Sequence, residues 1–233
     1  MKIVILSAGP VNPDLVGQFG EYDKVFRDYL GSYDSDLSFQ GWAIYEHDFP
    51  SSPDDADAWI ISGSRYGVYE DHDWIEPFKA FIRDIAAARR PLIGVCFGHQ
   101  IMAEALGGAA VKWSGGWGIG RHEYEAATPP SWVRGAPETM AIHAVHQDQV
   151  TKLPPDATVL ASNDFCANAA LIYGDPEAPY AISIQPHPEF GDDMVECVLR
   201  VRRDVFTDDL HDAAKDRMGH NLHQDWAAKW FLD

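Results

Sequence analysis

The chain opens on a short apolar run, residues 2 to 7, broken by Gly9 and Pro10. An unbroken apolar run bounded by turn residues predicts a buried strand. Val25, Phe26, Tyr29 and Leu30 then recur at helical spacing and predict a helix from about Tyr22 to Tyr33. A strand followed by a helix favours a parallel sheet. Trp42 to Tyr45 and Ala58 to Ile61 are predicted strands, ended by the turn-forming stretches HDFPSSPDD and SGSRYG. Between Trp74 and Arg89 the residues Ile75, Phe78, Phe81, Ile82 and Ile85 share one side of a predicted helix. Arg89 and Arg90 close it where cations complement the helix dipole.

Pro91 ends that helix, and the apolar strand Leu92 to Val95 runs directly into Cys96 and a second predicted helix, Gln100 to Leu106, stopped by Gly107 and Gly108. From Val111 to Val159 the pattern changes. Turns rich in glycine and proline separate short segments at Arg121 to Ala126, Thr139 to His143 and Thr158 to Ala161, which read as antiparallel strands. Ala169 to Tyr173 and Ala181 to Gln185 supply later strands, and the tail is helical in pattern over Asp192 to Phe206 and Asp208 to Trp230. There is no internal repeat. The order predicts one α/β domain over residues 1–233, with a mostly parallel central sheet flanked by helices and a small antiparallel section in the middle of the chain.

Composition narrows the function classes. The 233 residues are 46% hydrophobic, enough for one sizeable core. Acidic residues outnumber basic ones 36 to 18, so the surface repels phosphate backbones and anionic lipid headgroups, and nucleic acid and membrane are not expected partners. That acidity fits solubility or a salty cell interior. The opening run is too short for a signal core or a membrane span. Three widely spaced cysteines argue against a disulfide framework and predict the cytoplasm.

The chemistry begins at Gly94-Val95-Cys96-Phe97-Gly98, a G-x-C-x-G pentapeptide between a predicted strand and helix. This is the arrangement of a nucleophile elbow with cysteine in place of serine. A residue at such a turn is strained, and flanking glycines avoid clashes where the backbone doubles back. The following helix points its N-terminus at the sulfur and favours thiolate, while the Phe97 N–H can face a developing oxyanion. A lone cysteine after an apolar strand is otherwise a small core residue, which is how Cys166, in a polar loop, and Cys197, on an apolar helical face, are read.

A thiol nucleophile needs a base, and the base needs a group to hold its tautomer. Gln185-Pro186-His187-Pro188-Glu189 supplies both, because the prolines keep the segment extended and alternate residues of an extended segment share a face. His99, His143 and His146 match no metal-ligand spacing, so no metal or other cofactor is expected. Trp113 and Trp117, set among glycines, either line an acyl pocket or pack their own loop.

Taken in order, SGSRYG, GVCFGHQ, AVHQDQV and QPHPE resemble the motifs of the class I glutamine amidotransferase superfamily. Within it the chain looks most like stand-alone relatives of the GMP synthase glutaminase domain, including the gamma-glutamyl peptidases, and GVYEDHDWI, GWGIG and HQDQV resemble the peptidases more than the synthase domain. The resemblance implies a flavodoxin-like sheet and a Cys-His-Glu triad that hydrolyses a glutamine side-chain amide or a γ-glutamyl bond through a thioester. It implies Cys96 as nucleophile, His187 as base and Glu189 as its orienting carboxylate. Ser64, where relatives usually carry glycine, and Phe97 match the backbone donors of an oxyanion hole. Gly63, Gln100, His146, Gln147 and Asp148 match the positions that contact substrate.

Three readings follow. The chain is a self-contained hydrolase of glutamine or a γ-glutamyl compound, a glutaminase subunit supplying ammonia to a separate synthetase, or a non-enzymatic member of the fold that binds a ligand or partner.

Overall fold

The computed structural model describes residues 1–127, 130–133 and 137–232. Its centre is a nine-stranded sheet whose first half is parallel. These strands are β1 (Lys2–Ser7), β2 (Ser38–Ala43), β3 (Ala58–Ile61), β4 (Leu92–Val95) and, late in the chain, β11 (Ala178–Ile184). They lie in the order β2-β1-β3-β4-β11, the 2-1-3-4-5 order of a flavodoxin-like sheet. The second half continues antiparallel through β10 (Ala170–Asp175), β9 (Ala157–Ser162), β6 (Gly118–Ala126) and β7 (Thr139–His146). A separate two-stranded ribbon pairs β5 (Ala109–Val111) with β8 (Gln149–Lys152).

Strand alternation divides the core into two layers. Ile3 and Ile5 of β1 pack on one face with Phe26, Tyr29 and Leu30 of α2 (Tyr22–Gly31) and with Trp230 and Phe231 of α7 (Gln224–Leu232). Val4 and Leu6 pack on the other face with Phe78, Ile82 and Ile85 of α3 (Ile75–Ala87) and with Ile101 and Met102 of α4 (Phe97–Ala105). A third cluster joins Leu15 of α1 (Pro13–Phe19) to Met194, Val195 and Val198 of α5 (Asp192–Val201) and to Ala214 of α6 (Asp208–Asp216). No helix among the described residues is long and apolar enough to cross a membrane.

Several boundaries differ from the sequence reading for physical reasons. The strand expected over Trp42 to Tyr45 is β2, which ends at Ala43 and gives way to a 3-10 turn at Ile44–Glu46. Its register is set by pairing Ser38 to Ala43 with Lys2 to Ser7, and as an edge strand it carries exposed polar positions that hide its period. The helix after Cys96 starts at Phe97, and the tail over Asp208 to Trp230 is two helices, with Gly219 at φ +75° between them. α1 was not expected. Pro13 at its first turn and Asn12, whose side chain accepts from the Asp14 N–H, start it, but seven residues with Gly17 inside give little periodicity.

Candidate functional site

The C-terminal ends of β3, β4 and β11 lie beside the point where strand order reverses, which is where α/β sheets of this kind open a crevice. Each end delivers one part of the site. After β4, Cys96 adopts φ +54° and ψ −103° at the N-cap of α4, a strained conformation for a residue with a side chain. The turn is pinned from both neighbours. The Cys96 N–H donates to the Ile184 carbonyl at 2.9 Å, and the Gly98 N–H donates to the Ser62 carbonyl at 3.1 Å.

The two flanking glycines are required by close approach. A methyl group at Gly98 would lie 2.3 Å from the Ile61 carbonyl oxygen, and one at Gly94 would lie 2.6 Å from the Gly98 carbonyl oxygen. Gly98→Ala should therefore lower stability by about 1–3 kcal/mol, because the obstacle is backbone and cannot rotate away. Gly17→Ala, in a helix with nothing within 4 Å of the added carbon, should be neutral or stabilise by up to about 1 kcal/mol. Urea unfolding of the pair reads the contrast, and equal effects would contradict the tight elbow.

After β11, the His187 N–H donates to the His143 carbonyl at 2.7 Å, an isolated bridge by which β7 reaches back across the site. The His187 ring stacks on Phe190 with centroids 4.1 Å apart and planes 8° apart. Its Nδ1 lies 2.7 Å from Glu189 Oε1, and both side chains are buried. Burial opposes the imidazolium, but the Glu189 carboxylate and Cys96, through charge and hydrogen bonding, outweigh it and push His187 up to about 10. A buried carboxylate holding the Nδ1 proton leaves Nε2 for the reacting groups.

After β3, Gly63 closes the cluster. A methyl group there would lie 3.0 Å from His187 Cε1 and 3.8 Å from Cys96 Cβ. The Ser64 hydroxyl turns away from the site, donating to the Ala8 carbonyl at 2.9 Å and accepting from the Tyr66 N–H at 3.1 Å. Neither the Ser64 nor the Phe97 backbone N–H bonds to another described residue.

Two cavities meet at Cys96. The larger, about 320 Å³, includes His187, Tyr22 and Phe190 in its wall. The smaller, about 220 Å³, includes Gln100, His146, Gln147 and Asp148. Ser64, Arg65, Val145 and Arg202 line both. Gln100 lies on the wall of the smaller cavity but directs its amide N–H groups to the Asp148 carbonyl and to Gln185, each at 3.1 Å, so it holds the loop. Gln147 ties to the Trp113 carbonyl at 3.1 Å. Trp117 lines the smaller cavity under the Arg202 guanidinium, whereas Trp113 is 37% exposed and lines neither.

The three histidines weighed as metal ligands each have their own partner. His99 Nδ1 meets Ser183 Oγ at 2.7 Å, His143 Nε2 meets Asp192 at 2.8 Å, and His146 Nδ1 donates to the Asp148 carbonyl at 3.1 Å. Burial pushes His99 and His146 down to about 3, so both are neutral. The unfolded chain then binds more protons between pH 6.5 and 3, and stability is lost as pH falls through that window. Each should cost roughly 2 kcal/mol at pH 5 relative to pH 7. His187 has the opposite sign: its contribution is complete below 6.5 and is lost as pH rises toward 10. Urea unfolding at pH 7 and pH 5 measures the acid side, where undiminished stability would contradict neutral burial.

Sequence reasoning missed Tyr22, Arg65, Arg202 and the His143–Asp192 pair. Tyr22 Oη would lie 3.3 Å from a methyl group at Gly63. Burial, then Cys96 and Glu189, hold its hydroxyl protonated well above the ordinary range. These five residues come from α2, the β3 loop, β7, and α5 with its C-cap, and no spacing in the chain links them.

Comparison with known proteins bears on the family and the fold. A family model described as glutamine amidotransferase class-I matches residues 42–193. Gamma-glutamyl peptidase 3 of Arabidopsis thaliana is 29% identical over 210 residues, covering 86% of this chain and 82% of the relative. GMP synthase of Bacillus subtilis is 29% identical over 140 residues, which are 59% of this chain and 26% of that enzyme. The crystal structure of a glutamine amidotransferase from Methylobacillus flagellatus superposes with a TM-score of 0.76 at 20% identity, covering 99% of this chain and 92% of that one.

Proposed function

Since the chain belongs to the class I glutamine amidotransferase family, we propose that it hydrolyses the side-chain amide of glutamine or a γ-glutamyl amide or peptide bond through a thioester on Cys96. The observation that carries this reading is the convergence of a strained cysteine at a helix N-terminus with a buried His187–Glu189 pair at 2.7 Å. Cys96 Sγ attacks the γ-carbonyl carbon, and the Ser64 and Phe97 N–H groups receive the oxyanion. As the C–N bond breaks, His187 gives its proton to the departing nitrogen. Water then attacks the thioester, His187 takes the water proton, and glutamate leaves as the thiolate re-forms with His187 protonated. Glu189 keeps its charge throughout and holds the imidazole.

Arg65 and Arg202 make no ion pair among the described residues and stand where the two cavities join. Two cations there, in a chain of formal charge −18, suit a substrate that carries a carboxylate. His146, Gln147 and Asp148 form the glutamyl side of the site, with Gln100 on the same wall holding the loop through the Asp148 carbonyl, while Gly63 lies against His187 and Cys96. Three free thiols fit a reducing compartment, the cytoplasm.

A stand-alone hydrolase is favoured by the likeness to gamma-glutamyl peptidase 3 over most of both chains. The part-length likeness to GMP synthase supports the second reading, in which ammonia passes to a separate synthetase subunit. Glutamate release by the purified chain from glutamine, γ-glutamyl dipeptides and glutathione separates the two. Turnover without a partner is the expected result. Turnover that stays negligible until a synthetase is added would favour the subunit.

A further inference from the structure

The two cavities differ in a way that bears on the leaving group. Cys96 is shared, but His187 lines only the larger cavity, and Gln100, His146, Gln147 and Asp148 line only the smaller. His187 must protonate the departing nitrogen, so the amine half of the scissile bond lies on the His187 side of the sulfur. The glutamyl half then lies in the smaller, polar cavity.

The larger cavity is not built for ammonia. Ammonia is about the size of a water molecule, whose share of liquid volume is about 30 Å³, against about 320 Å³ here. Leu15 of α1, Val25 of α2, and Phe190, Met194 and Val198 around α5 line it, and all five are buried. Such a wall offers ammonia no hydrogen bonds but fits an aliphatic or aromatic side chain. Its polar lining is Asn12 at the start of α1, whose side chain is already engaged with the Asp14 N–H, and Tyr22, Ser64, Arg65, His187 and Arg202.

We infer that the larger cavity is a leaving-group subsite for a bulky apolar amine, an amino acid or peptide whose first side chain is aliphatic or aromatic. This inference rests on the γ-glutamyl hydrolase reading and adds to it the chemistry of the departing half. Leu15, Met194 and Val198 are its specificity-determining residues. They touch the departing side chain and take no part in bond making.

The test is kcat/KM for L-glutamine, γ-Glu-Gly and γ-Glu-Phe, with glutamate release as readout, in the wild-type chain and in Leu15→Trp and Met194→Ala. In the wild type, γ-Glu-Phe should exceed glutamine at least ten-fold, with γ-Glu-Gly between them. Leu15→Trp narrows the cavity and should lower the γ-Glu-Phe to glutamine ratio at least five-fold. Met194→Ala enlarges it and, with γ-Glu-Trp measured as an additional substrate in both chains, should raise the ratio of γ-Glu-Trp to γ-Glu-Phe. Each ratio is taken within one preparation, so loss of folded enzyme cancels. Glutamine turned over as well as γ-Glu-Phe, or a ratio unmoved by Leu15→Trp, would overturn the subsite while leaving the hydrolase intact. Glutamate released from none of the three would overturn the hydrolase reading itself, and the subsite with it.

Discussion

Cys96→Ala should lower kcat by about 10⁴-fold or more while leaving the fold intact. Loss of a nucleophile that acts together with its base costs losses of this order, because no other group can form the covalent intermediate. The fold should survive because the substitution removes one sulfur atom from a side chain at the cavity wall, and the turn is held by the Cys96 and Gly98 backbone bonds, which alanine retains. Cys166→Ala is the matched control. Burial pushes the Cys166 thiol up to about 12, so it stays protonated and unreactive, and its removal should keep most activity. Steady-state hydrolysis with a circular-dichroism melt decides the matter, and substantial turnover by folded Cys96→Ala would defeat the mechanism.

The second large effect concerns Glu189, whose carboxylate is the strongest influence raising His187 against the burial that lowers it. Glu189→Gln keeps the volume and an acceptor near Nδ1 but removes the charge, so the imidazolium loses its main support. The expected loss is about 10³- to 10⁴-fold in kcat with a smaller change in KM, the pattern of a group that orients and stabilises the base. His187→Ala should cost at least as much. The double change should be little worse than His187→Ala alone, since Glu189 acts only through His187. Multiplicative losses in that cycle would mean that Glu189 works independently and that the triad must be redrawn. The pH profile adds a separate sign. Without the Glu189 charge the His187 value falls, so any rate limb reporting its deprotonation should move to lower pH in Glu189→Gln.

The most legible parts of the chain were those where chemistry is local. Gly94, Cys96 and Gly98 lie within five residues, and His187 and Glu189 are two apart on an extended segment, so their geometry could be written from spacing alone. The buried parallel strands were equally plain, because both faces of β1, β3 and β4 are apolar. β2 was misplaced because an edge strand draws its register from pairing with β1, which residue pattern does not carry. Gln100 was placed at the site by resemblance, yet its amide supports Asp148 and Gln185 from the wall. The apolar wall of the larger cavity was invisible in the sequence. Leu15 and Met194 meet only because α1 packs on α5, and each taken singly is an ordinary core residue.

The central claim is that one thiol of three is activated by this geometry. A glutamine-mimicking electrophile offered to the native protein, followed by peptide mapping of the modified cysteine, addresses it most directly. The account predicts a single label on Cys96, suppressed by glutamine or a γ-glutamyl peptide, with Cys166 and Cys197 unmodified over the same interval. Labelling of Cys166 or Cys197 at an equal rate, or no labelling at all, would contradict it.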